Sequence, residues 1–274
     1  FGLSKGYWEQ DTECKWRYFV NDIAQTGWIC VNGSWYWGDP DDAGACVNNC
    51  WREIEGKWYW FADNCVMTTN RWINTEGIWY WVGASGNRLT GWQLINGSWY
   101  WLDPETGARA TGLTDVYGTK YDFSSDGAMV TGWVREGDDW YYFDASGAAV
   151  KGWVLVNGSW YWLDPETSIM QTGWLELSGN KYFLAASGAM KTGWLLDNGS
   201  WYYFDCSGAM TKGWLCLGGV WYWLDPETGV MATGLADVSG TKYCFASNGV
   251  MASGVWVPDD SDWYYADASG ALSR

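Results

Sequence analysis

Residues 91–111 read GWQLINGSWYWLDPETGARAT. The Asn96-Gly97 dipeptide between two apolar runs favours a β-hairpin with a type I′ turn, because both residues of that turn take positive φ. A two-residue turn places Trp92 directly opposite Trp101. Because side chains alternate along a strand, Trp92, Trp99 and Trp101 then share one face of the hairpin. The stretch therefore predicts a hairpin that carries three indoles on one face.

Four positions of this hairpin recur along the chain. Trp92 is the anchor Trp, which follows a glycine in the first strand. On the second strand, Trp99 is the first hairpin Trp, Tyr100 is the central Tyr and Trp101 is the third aromatic. Alternation turns the central Tyr away from the Trp face, so we expect it to pack hairpins together and not to bind a ligand.

The anchor position repeats every 20 to 23 residues, which is the signature of a repeat architecture. Because an isolated hairpin is not stable in water, the units must stack on one another. We therefore predict an all-β fold, an elongated β-solenoid of about thirteen stacked β-hairpins of 20–21 residues. The anchors are Trp8, Trp28, Trp51, Trp72, Trp92, Leu113, Trp133, Trp153, Trp174, Trp194, Trp214, Leu235 and Trp256.

A second period of 61 residues separates Trp92, Trp153 and Trp214, each of which opens a unit containing WYWLDPET. The unit after each has Lys in place of the first hairpin Trp, at Lys120, Lys181 and Lys242. This pattern divides the chain into irregular, Cys-rich repeats at 1–90 and regular repeats in three blocks at 91–274. It would also fit about three hairpins per superhelical turn.

Composition and charge exclude several functions. The chain has 32 acidic and 16 basic residues, a net charge of −16 and no His, so a nucleic-acid partner is not expected. No apolar run is long enough for membrane insertion. The chain begins with Phe1, which we interpret as the start of a mature or truncated piece of a longer protein.

Catalysis, a metal site and a cofactor are not predicted. No His base, nucleophile elbow or phosphate loop occurs in the sequence. Asp103 and Glu105, with Asp164 and Glu166, lie in a repeated Asp-Pro-Glu-Thr turn, where Asp has a structural role. An active site is normally built once, so repetition argues against one; an enzyme fused to the module in the parent protein remains compatible.

Eight cysteines are present, five of them in the first 65 residues. Without His, a zinc site is a weak interpretation. Disulfides that brace the irregular N-terminal end are expected in an oxidising compartment, with the pairing left open; free buried thiols are the alternative.

The units resemble the choline-binding, or cell-wall-binding, repeat family of Gram-positive bacterial and phage surface proteins. The full pattern is Gly-Trp, Asn-Gly, Trp-Tyr-Tyr and Gly-Ala-Met, and it stands at 193–210. Related repeats in clostridial toxins and streptococcal glucosyltransferases bind carbohydrate. The resemblance implies a secreted, cell-surface module without catalytic activity.

The resemblance also implies aromatic cages between consecutive hairpins, each made of the anchor Trp and first hairpin Trp of one unit and the third aromatic of the next. Asp122 and Cys244 interrupt the sites opposite Trp92 and Trp214, and Lys181 would repel a cation at Trp174. The cages implied are Trp133, Trp140 and Trp162; Trp153, Trp160 and Phe183; Trp194, Trp201 and Trp223; Trp28, Trp35 and Trp60; Trp51, Trp58 and Trp81; and Trp72, Trp79 and Trp101.

The ligand implied is choline or phosphocholine on teichoic or lipoteichoic acid. A quaternary ammonium group is held by the negative faces of aromatic rings, whereas a sugar prefers a flat ring with hydrogen-bonding side chains. Binding of glycans, as a glucan-type or adhesin module, is the alternative, and a purely structural stalk is a third. The units led by Leu113 and Leu235 are expected to hold no choline.

Overall fold

The computed structural model describes residues 6–259 and 262–274, and these form an all-β protein. No α-helix occurs among them, and none of the described residues form a helix of the length and hydropathy that crossing a bilayer requires. A short 3-10 helix covers Pro40–Asp42. The strands are β1 (Tyr7–Gln10), β2 (Trp16–Val20), β3 (Ile23–Ala24), β4 (Gly27–Val31), β5 (Ser34–Asp39), β6 (Ala45–Cys46), β7 (Cys50–Ile54), β8 (Lys57–Phe61), β9 (Arg71–Thr75), β10 (Ile78–Val82), β11 (Gly91–Ile95), β12 (Ser98–Leu102), β13 (Gly112–Val116), β14 (Thr119–Phe123), β15 (Gly132–Glu136), β16 (Asp139–Phe143), β17 (Gly152–Val156), β18 (Ser159–Leu163), β19 (Gly173–Leu177), β20 (Asn180–Leu184), β21 (Gly193–Asp197), β22 (Ser200–Phe204), β23 (Gly213–Leu217), β24 (Val220–Leu224), β25 (Gly234–Val238), β26 (Thr241–Phe245), β27 (Val255–Asp259), β28 (Asp262–Ala266) and β29 (Leu272–Ser273).

The strands pair as consecutive hairpins, and the predicted register is confirmed. In the β11–β12 hairpin, Trp92 lies opposite Trp101 and Leu94 lies opposite Trp99. Each of the thirteen predicted anchors lies in the first strand of a hairpin. The all-β hairpin fold is therefore confirmed, while the three hairpins per superhelical turn stay a prediction.

The Asn-Gly turns adopt the predicted conformation. Asn96 and Gly97 have φ values of 51° and 88°, and Asn198 and Gly199 have 47° and 81°. Positive φ at both turn residues is what a type I′ turn requires. In the β13–β14 hairpin, where the turn has Tyr117 in place of Asn, the Asp115 carboxylate accepts a hydrogen bond from the turn glycine at 2.8 Å.

From β8 onward, the core takes one residue from the end of the second strand of each hairpin. Leu102, Phe123 and Phe204 are among these residues, and their side chains are 0–2% exposed. The loop that follows each hairpin folds back on this position; Met129, for example, forms a β-bridge with Phe123. Because each hairpin buries only this one position completely, most of its stability must come from the hairpins on either side.

In the loops after the WYWLDPET hairpins, the Asp residues have the structural role that the sequence predicts. The Asp103 carboxylate accepts hydrogen bonds from the Thr106 backbone N–H at 2.8 Å and from the Thr106 hydroxyl at 2.7 Å. Asp164 and Asp225 do the same with Thr167 and Thr228. These donors hold the pKa of each Asp carboxyl below its usual range.

The chain divides into two compact units. One comprises residues 1–134 and 143–149, and the other comprises 135–142 and 150–274. The first unit differs from the second in its N-terminal sheet, where β3 and β6 join the β1–β2 and β4–β5 hairpins. The change of repeat character predicted at residue 90 stays a prediction.

All eight cysteines are free thiols, and five of them are exposed, so the alternative of free buried thiols fits Cys65 alone. Cys65 is buried, and its thiol lies 3.9 Å from the carbonyl oxygen of Cys46. Hydrogen bonding to Cys65 and burial raise the pKa of the Cys46 thiol. The structure therefore has no disulfide brace at the N-terminal end.

Candidate functional site

Three rings from two consecutive hairpins form an open aromatic cage. In the first such cage of the regular repeats, Trp92 and Trp99 come from one hairpin and Tyr121 comes from the next. The ring centroids of Trp92 and Trp99 lie 6.3 Å apart with an interplanar angle of 86°, and those of Trp92 and Tyr121 lie 4.8 Å apart at 68°. The three ring faces therefore line a concave site, hereafter the Trp92 cage.

The hairpin register explains how one strand pair supplies two of these rings. Trp92 and Trp99 lie on the same face as diagonal neighbours, since Trp92 is opposite Trp101 and Trp99 is opposite Leu94. Diagonal neighbours on a hairpin face remain within reach of aromatic side chains. The pair thus forms two walls of the cage as soon as the hairpin folds.

The third wall comes from the alternation of the following hairpin. Tyr121 points away from the face of its own hairpin that carries Leu113, and so toward the Trp face of the preceding hairpin. Phe123, two residues later on the same face, packs against Trp92 at 5.7 Å. Consecutive hairpins therefore stack the Trp face of one against the Tyr face of the next.

Loop residues complete the cage. Met129 and Ser146 line the Trp92 cage together with the three rings. The backbone N–H of Met129 donates a 2.8 Å hydrogen bond to the carbonyl oxygen of Trp99. This bond ties the loop after the second hairpin to the first hairpin, and it holds the Met side chain beside the rings.

The same arrangement recurs in both units. The cavities that are lined by these rings and their loop residues measure about 230–360 Å³. In the Trp153 cage the Trp153 indole lies 5.2 Å from Tyr182 and 6.4 Å from Trp160. The cavity-lining triads are Trp8, Trp16 and Tyr36; Trp28, Trp35 and Tyr59; Trp92, Trp99 and Tyr121; Trp194, Trp201 and Tyr222; and Trp214, Trp221 and Tyr243.

The first hairpin Trp of each of these five cavities remains open to solvent. Trp99 is 44% exposed, Trp201 is 40% exposed and Trp221 is 44% exposed. A Trp that served only to cement hairpins would be largely buried, because burial of its apolar area is what stabilises the fold. The repeated exposure of a large ring at the mouth of a cavity is typical of a binding position.

The structure brings predicted anchor and first hairpin Trp residues together, as in Trp153 with Trp160 and Trp194 with Trp201, but it places a different third ring beside them. Trp223 does not line the Trp194 cage; it packs against Trp214, its own anchor, at 5.0 Å. Tyr222, the central Tyr, supplies the third wall instead. The other predicted third rings also pack on the anchor of their own hairpin, as Trp60, Trp81, Trp101, Trp162 and Phe183 do on Trp51, Trp72, Trp92, Trp153 and Trp174.

The corrected geometry adds cages that the sequence reasoning missed. Asp122 lies opposite Leu113 and Cys244 lies opposite Leu235, each within its own hairpin, so neither interrupts the cage of the preceding unit. The Trp92 and Trp214 cages are complete. These cages could have been predicted from strand alternation, because it places the central Tyr on the face opposite to the Trp residues of its own hairpin.

The Trp8 cage is also new, and its rim carries a carboxylate. Trp8 lies 4.8 Å from Tyr36, and Trp16 and Asp63 line the same cavity of about 360 Å³. The anchor at Trp8 was recognised in the sequence, but its first hairpin Trp was not, because a longer turn separates the two strands here.

The hairpins of Leu113, Trp174 and Leu235 have Lys in place of the first hairpin Trp, and the sequence predicts that they differ from the choline cages. Lys181 lies opposite Glu176, and Trp174 keeps a ring contact with Tyr202 at 4.9 Å while its indole N–H donates to Asp197 at 2.9 Å. The hairpins of Leu113 and Leu235 have an aliphatic side chain at the anchor position, so they lack two of the three walls.

The predicted site of Trp133, Trp140 and Trp162 stays a prediction. Trp133 belongs to the first unit, and Trp140 and Trp162 belong to the second. Within the second unit, the backbone N–H of Met170 donates to the carbonyl oxygen of Trp140 at 2.8 Å, as the corresponding Met does in the cages described above.

Two cages of the first unit contain an arginine. The guanidinium carbon of Arg88 lies 5.6 Å from the ring centroid of Trp58 and 5.8 Å from that of Tyr80. The guanidinium carbon of Arg109 lies 5.4 Å from Trp72 and 5.6 Å from Trp79. The ring positions of these cages thus already hold a cation.

Comparisons with known proteins agree with this architecture. The family described as choline-binding repeat matches residues 110–151, 130–170 and 191–233, and that described as putative cell wall binding repeat matches residues 26–41, 50–64, 90–105, 172–190 and 256–272. Together these matches cover more than half of the chain. A comparison with curated protein sequences gave no match.

Solved structures from Streptococcus pneumoniae share the fold. Choline binding protein F is 27% identical, with 98% of this chain and 99% of that chain covered and a TM-score of 0.60; its structure is also known in the presence of a peptidoglycan analogue. CbpJ is 26% identical over 98% and 100% of the two chains, with a TM-score of 0.53. The modular autolysin LytC, 23% identical over 90% of this chain and 52% of that one, shows the fold alone at a TM-score of 0.61. With its repeats matched along both units and its hairpins stacked as described, the chain belongs to the choline-binding, or cell-wall-binding, repeat family.

Proposed function

We propose that this module binds choline groups, as choline or phosphocholine on teichoic or lipoteichoic acid, and so attaches to a bacterial cell surface. The observation that carries the proposal is the set of three ring faces at steep angles around a solvent-open cavity. In the Trp194 cage, the Trp194 ring stands at 87° to Trp201 and at 63° to Tyr222. Rings at such angles present their negative faces to one central point, which suits a rounded cation.

Sugar binding is the alternative, and the cage geometry favours it less. A pyranose ring stacks on one flat aromatic face and needs side chains that hydrogen-bond its hydroxyl groups. The Trp194 cage offers Asn248 and Met231 beside its three rings, and the Trp92 cage offers Ser146 and Met129. With one small polar side chain in each of these two cages, recognition there must come mainly from the ring faces.

Single cages are expected to bind weakly. Each ring contact with a cation contributes about 1 kcal/mol in a half-exposed site, and three contacts correspond to a dissociation constant in the millimolar range. Several cages on one chain, facing a polymer with many choline groups, raise the apparent affinity through effective concentration. The repeated architecture is therefore suited to a polymer and not to a free small molecule.

The surface charge supports the same ligand class. A net charge of −16 is compatible with a cationic ligand group, and at about 0.15 M salt its attraction acts within about 8 Å of the surface. Cell-surface attachment and secretion follow as part of the proposal. An enzyme fused to the module in a longer parent protein would be compatible with this proposal.

Elution from a tertiary-amine resin tests the proposal. The chain is loaded in about 1 M NaCl, where charges farther apart than about 3 Å are screened, so ion exchange of the acidic protein is suppressed. We expect retention under this salt and elution by choline chloride, but not by the same added concentration of NaCl. Passage through the resin in high salt, or equal elution by NaCl, would contradict choline binding.

A further inference from the structure

Arg88 and Arg109 stand at the loop position that Met129 holds in the Trp92 cage. The cages without an arginine at this position are hereafter the open cages. Arg88 forms a β-bridge with Val82, and Arg109 forms one with Leu102, just as Met129 does with Phe123. Their backbone N–H groups donate to the carbonyl oxygens of Trp58 and Trp79 at 2.7 and 2.9 Å, the same bond that Met129 makes to Trp99. The backbone of these loops is therefore fixed in the same way in both kinds of cage.

The side chains also follow the same path. Met129 passes over Gly147 so closely that a Cβ at this glycine would overlap it, and Arg88 and Arg109 pass over Gly107 and Gly127 in the same manner. What differs is the end of the side chain. A thioether ends beside the rings in the open cages, whereas a planar cation ends there in the other two.

The two guanidinium groups sit against the rings that a ligand would use. Arg88 faces the first hairpin Trp58 and the central Tyr80, which come from consecutive hairpins. Arg109 faces the anchor Trp72 and the first hairpin Trp79. The Arg109 guanidinium also donates a 3.2 Å hydrogen bond to the carbonyl oxygen of Ser125, in the loop after the next hairpin.

We propose that Arg88 and Arg109 are built-in occupants of the Trp51 and Trp72 cages, and that these two cages are closed to choline. The proposal rests on choline binding by the open cages. An arginine tethered beside the rings is always present at high effective concentration, and its flat guanidinium stacks on aromatic faces. A second cation would have to displace it or share the site with a like charge.

The environment of both groups agrees with such a role. Arg88 and Arg109 are half-buried, and loss of hydration lowers the pKa of each guanidinium. Arginine nevertheless stays charged at neutral pH, so both cages hold a permanent cation. These two hairpin junctions are then held together without ligand, whereas the open cages gain the corresponding contacts only when choline binds.

A reciprocal exchange of Met and Arg tests the proposal by counting bound choline in equilibrium dialysis of the whole chain. Arg88→Met and Arg109→Met should each add one choline per chain, and the double variant should add two. Met231→Arg should close the Trp194 cage and remove one. Arg135→Met is the matched control, since Arg135 is exposed and pairs with Asp138 at 3.2 Å, and it should leave the count unchanged.

Folded Arg→Met variants that gain no choline, or a Met231→Arg variant that keeps the wild-type count, would overturn the proposal. A wild-type chain that binds no choline would instead refute the proposed function. In that case NMR decides the inference without ligand. The δ-methylene protons of Arg88 and Arg109 should be shifted upfield by ring currents relative to those of Arg135, and unshifted resonances would refute ring occupancy.

Discussion

The ring of Tyr222 lies 5.0 Å from the indole of Trp194, centroid to centroid, although the two residues belong to consecutive hairpins. Tyr222 is the central residue of a Trp-Tyr-Trp run whose flanking indoles face the other way. The strand that contains Tyr222 thus contributes to two sites. Tyr222 forms a wall of the preceding cage, and Trp221 and Trp223 lie on the Trp face of their own hairpin. Each cage therefore depends on the packing of two hairpins, and a folded pair is needed before a ligand can bind.

Removal of this third wall tests its role directly. Tyr222→Leu should weaken choline binding at the Trp194 cage several-fold, because one ring contact of about 1 kcal/mol is lost. Tyr222→Phe should bind as the wild type does, since it keeps the ring face. Isothermal titration with choline measures both. The matched control is Trp223→Phe, which changes the third aromatic; if it weakened the Trp194 cage as much as Tyr222→Leu, our assignment of the third wall would be wrong.

Binding and folding should separate at two positions of one hairpin. Trp201→Leu should remove one bound choline while changing the unfolding midpoint little in the absence of ligand, because this Trp is 40% exposed. Phe204→Ala should lower the free energy of unfolding by about 3–5 kcal/mol, as expected for a fully buried Phe. Urea unfolding without choline, beside a choline count, distinguishes the two. A large loss of stability in Trp201→Leu would indicate that this Trp cements the hairpins.

The hairpin of Leu235 and Lys242 should hold no choline. Leu235→Ala and Lys242→Ala should both leave the number of bound choline groups unchanged, because two of the three ring faces are absent at this hairpin. Equilibrium dialysis of each variant against the wild type gives the count. A loss of one choline in either variant would show that a cage can form without its Trp pair.

Acid should destabilise the loops that contain Asp-Pro-Glu-Thr. In the folded chain the Thr167 backbone and hydroxyl donors hold the pKa of Asp164 below its usual value of about 3.9. The folded pKa is lower than the unfolded one, so the stabilisation is complete above the unfolded pKa. It is lost as the pH falls through the folded pKa.

The urea midpoint should therefore be lower at pH 3 than at pH 6, and Asp164→Asn should reduce the difference. Asn can still accept the same hydrogen bonds but does not titrate in this range. An unchanged pH dependence in Asp164→Asn would show that this carboxylate does not contribute to acid stability.

The hairpins were predictable because their determinants are local. Asn96 and Gly97 dictate a two-residue turn, and the turn dictates that Trp92 faces Trp101. The anchor spacing gave the order of hairpins for the same reason. No contact between hairpins was needed for either inference.

The third wall of each cage and the positions of Arg88 and Arg109 were not predictable from the sequence, because they depend on contacts between hairpins. Strand alternation shows that Tyr222 lies on the opposite face of its hairpin from Trp221 and Trp223. Its contact with Trp194, however, depends on how the preceding hairpin stacks on that face. The alignment of Arg109 with Met129 is visible in the sequence, yet the position of the guanidinium over Trp72 and Trp79 is a property of the fold. The resemblance to a family named the Trp pair that the structure brings together in the Trp194 cage, but it named a different third ring from the one that lies beside that pair.

Titration of the intact chain with choline chloride, followed by Trp fluorescence, tests the central claim most directly. We expect a saturable change of emission with a midpoint in the millimolar range, absent from a parallel titration with NaCl, because Trp201 and its equivalents line the mouths of the cages. Emission that follows NaCl equally, or that responds to glucan oligosaccharides and not to choline, would contradict the account.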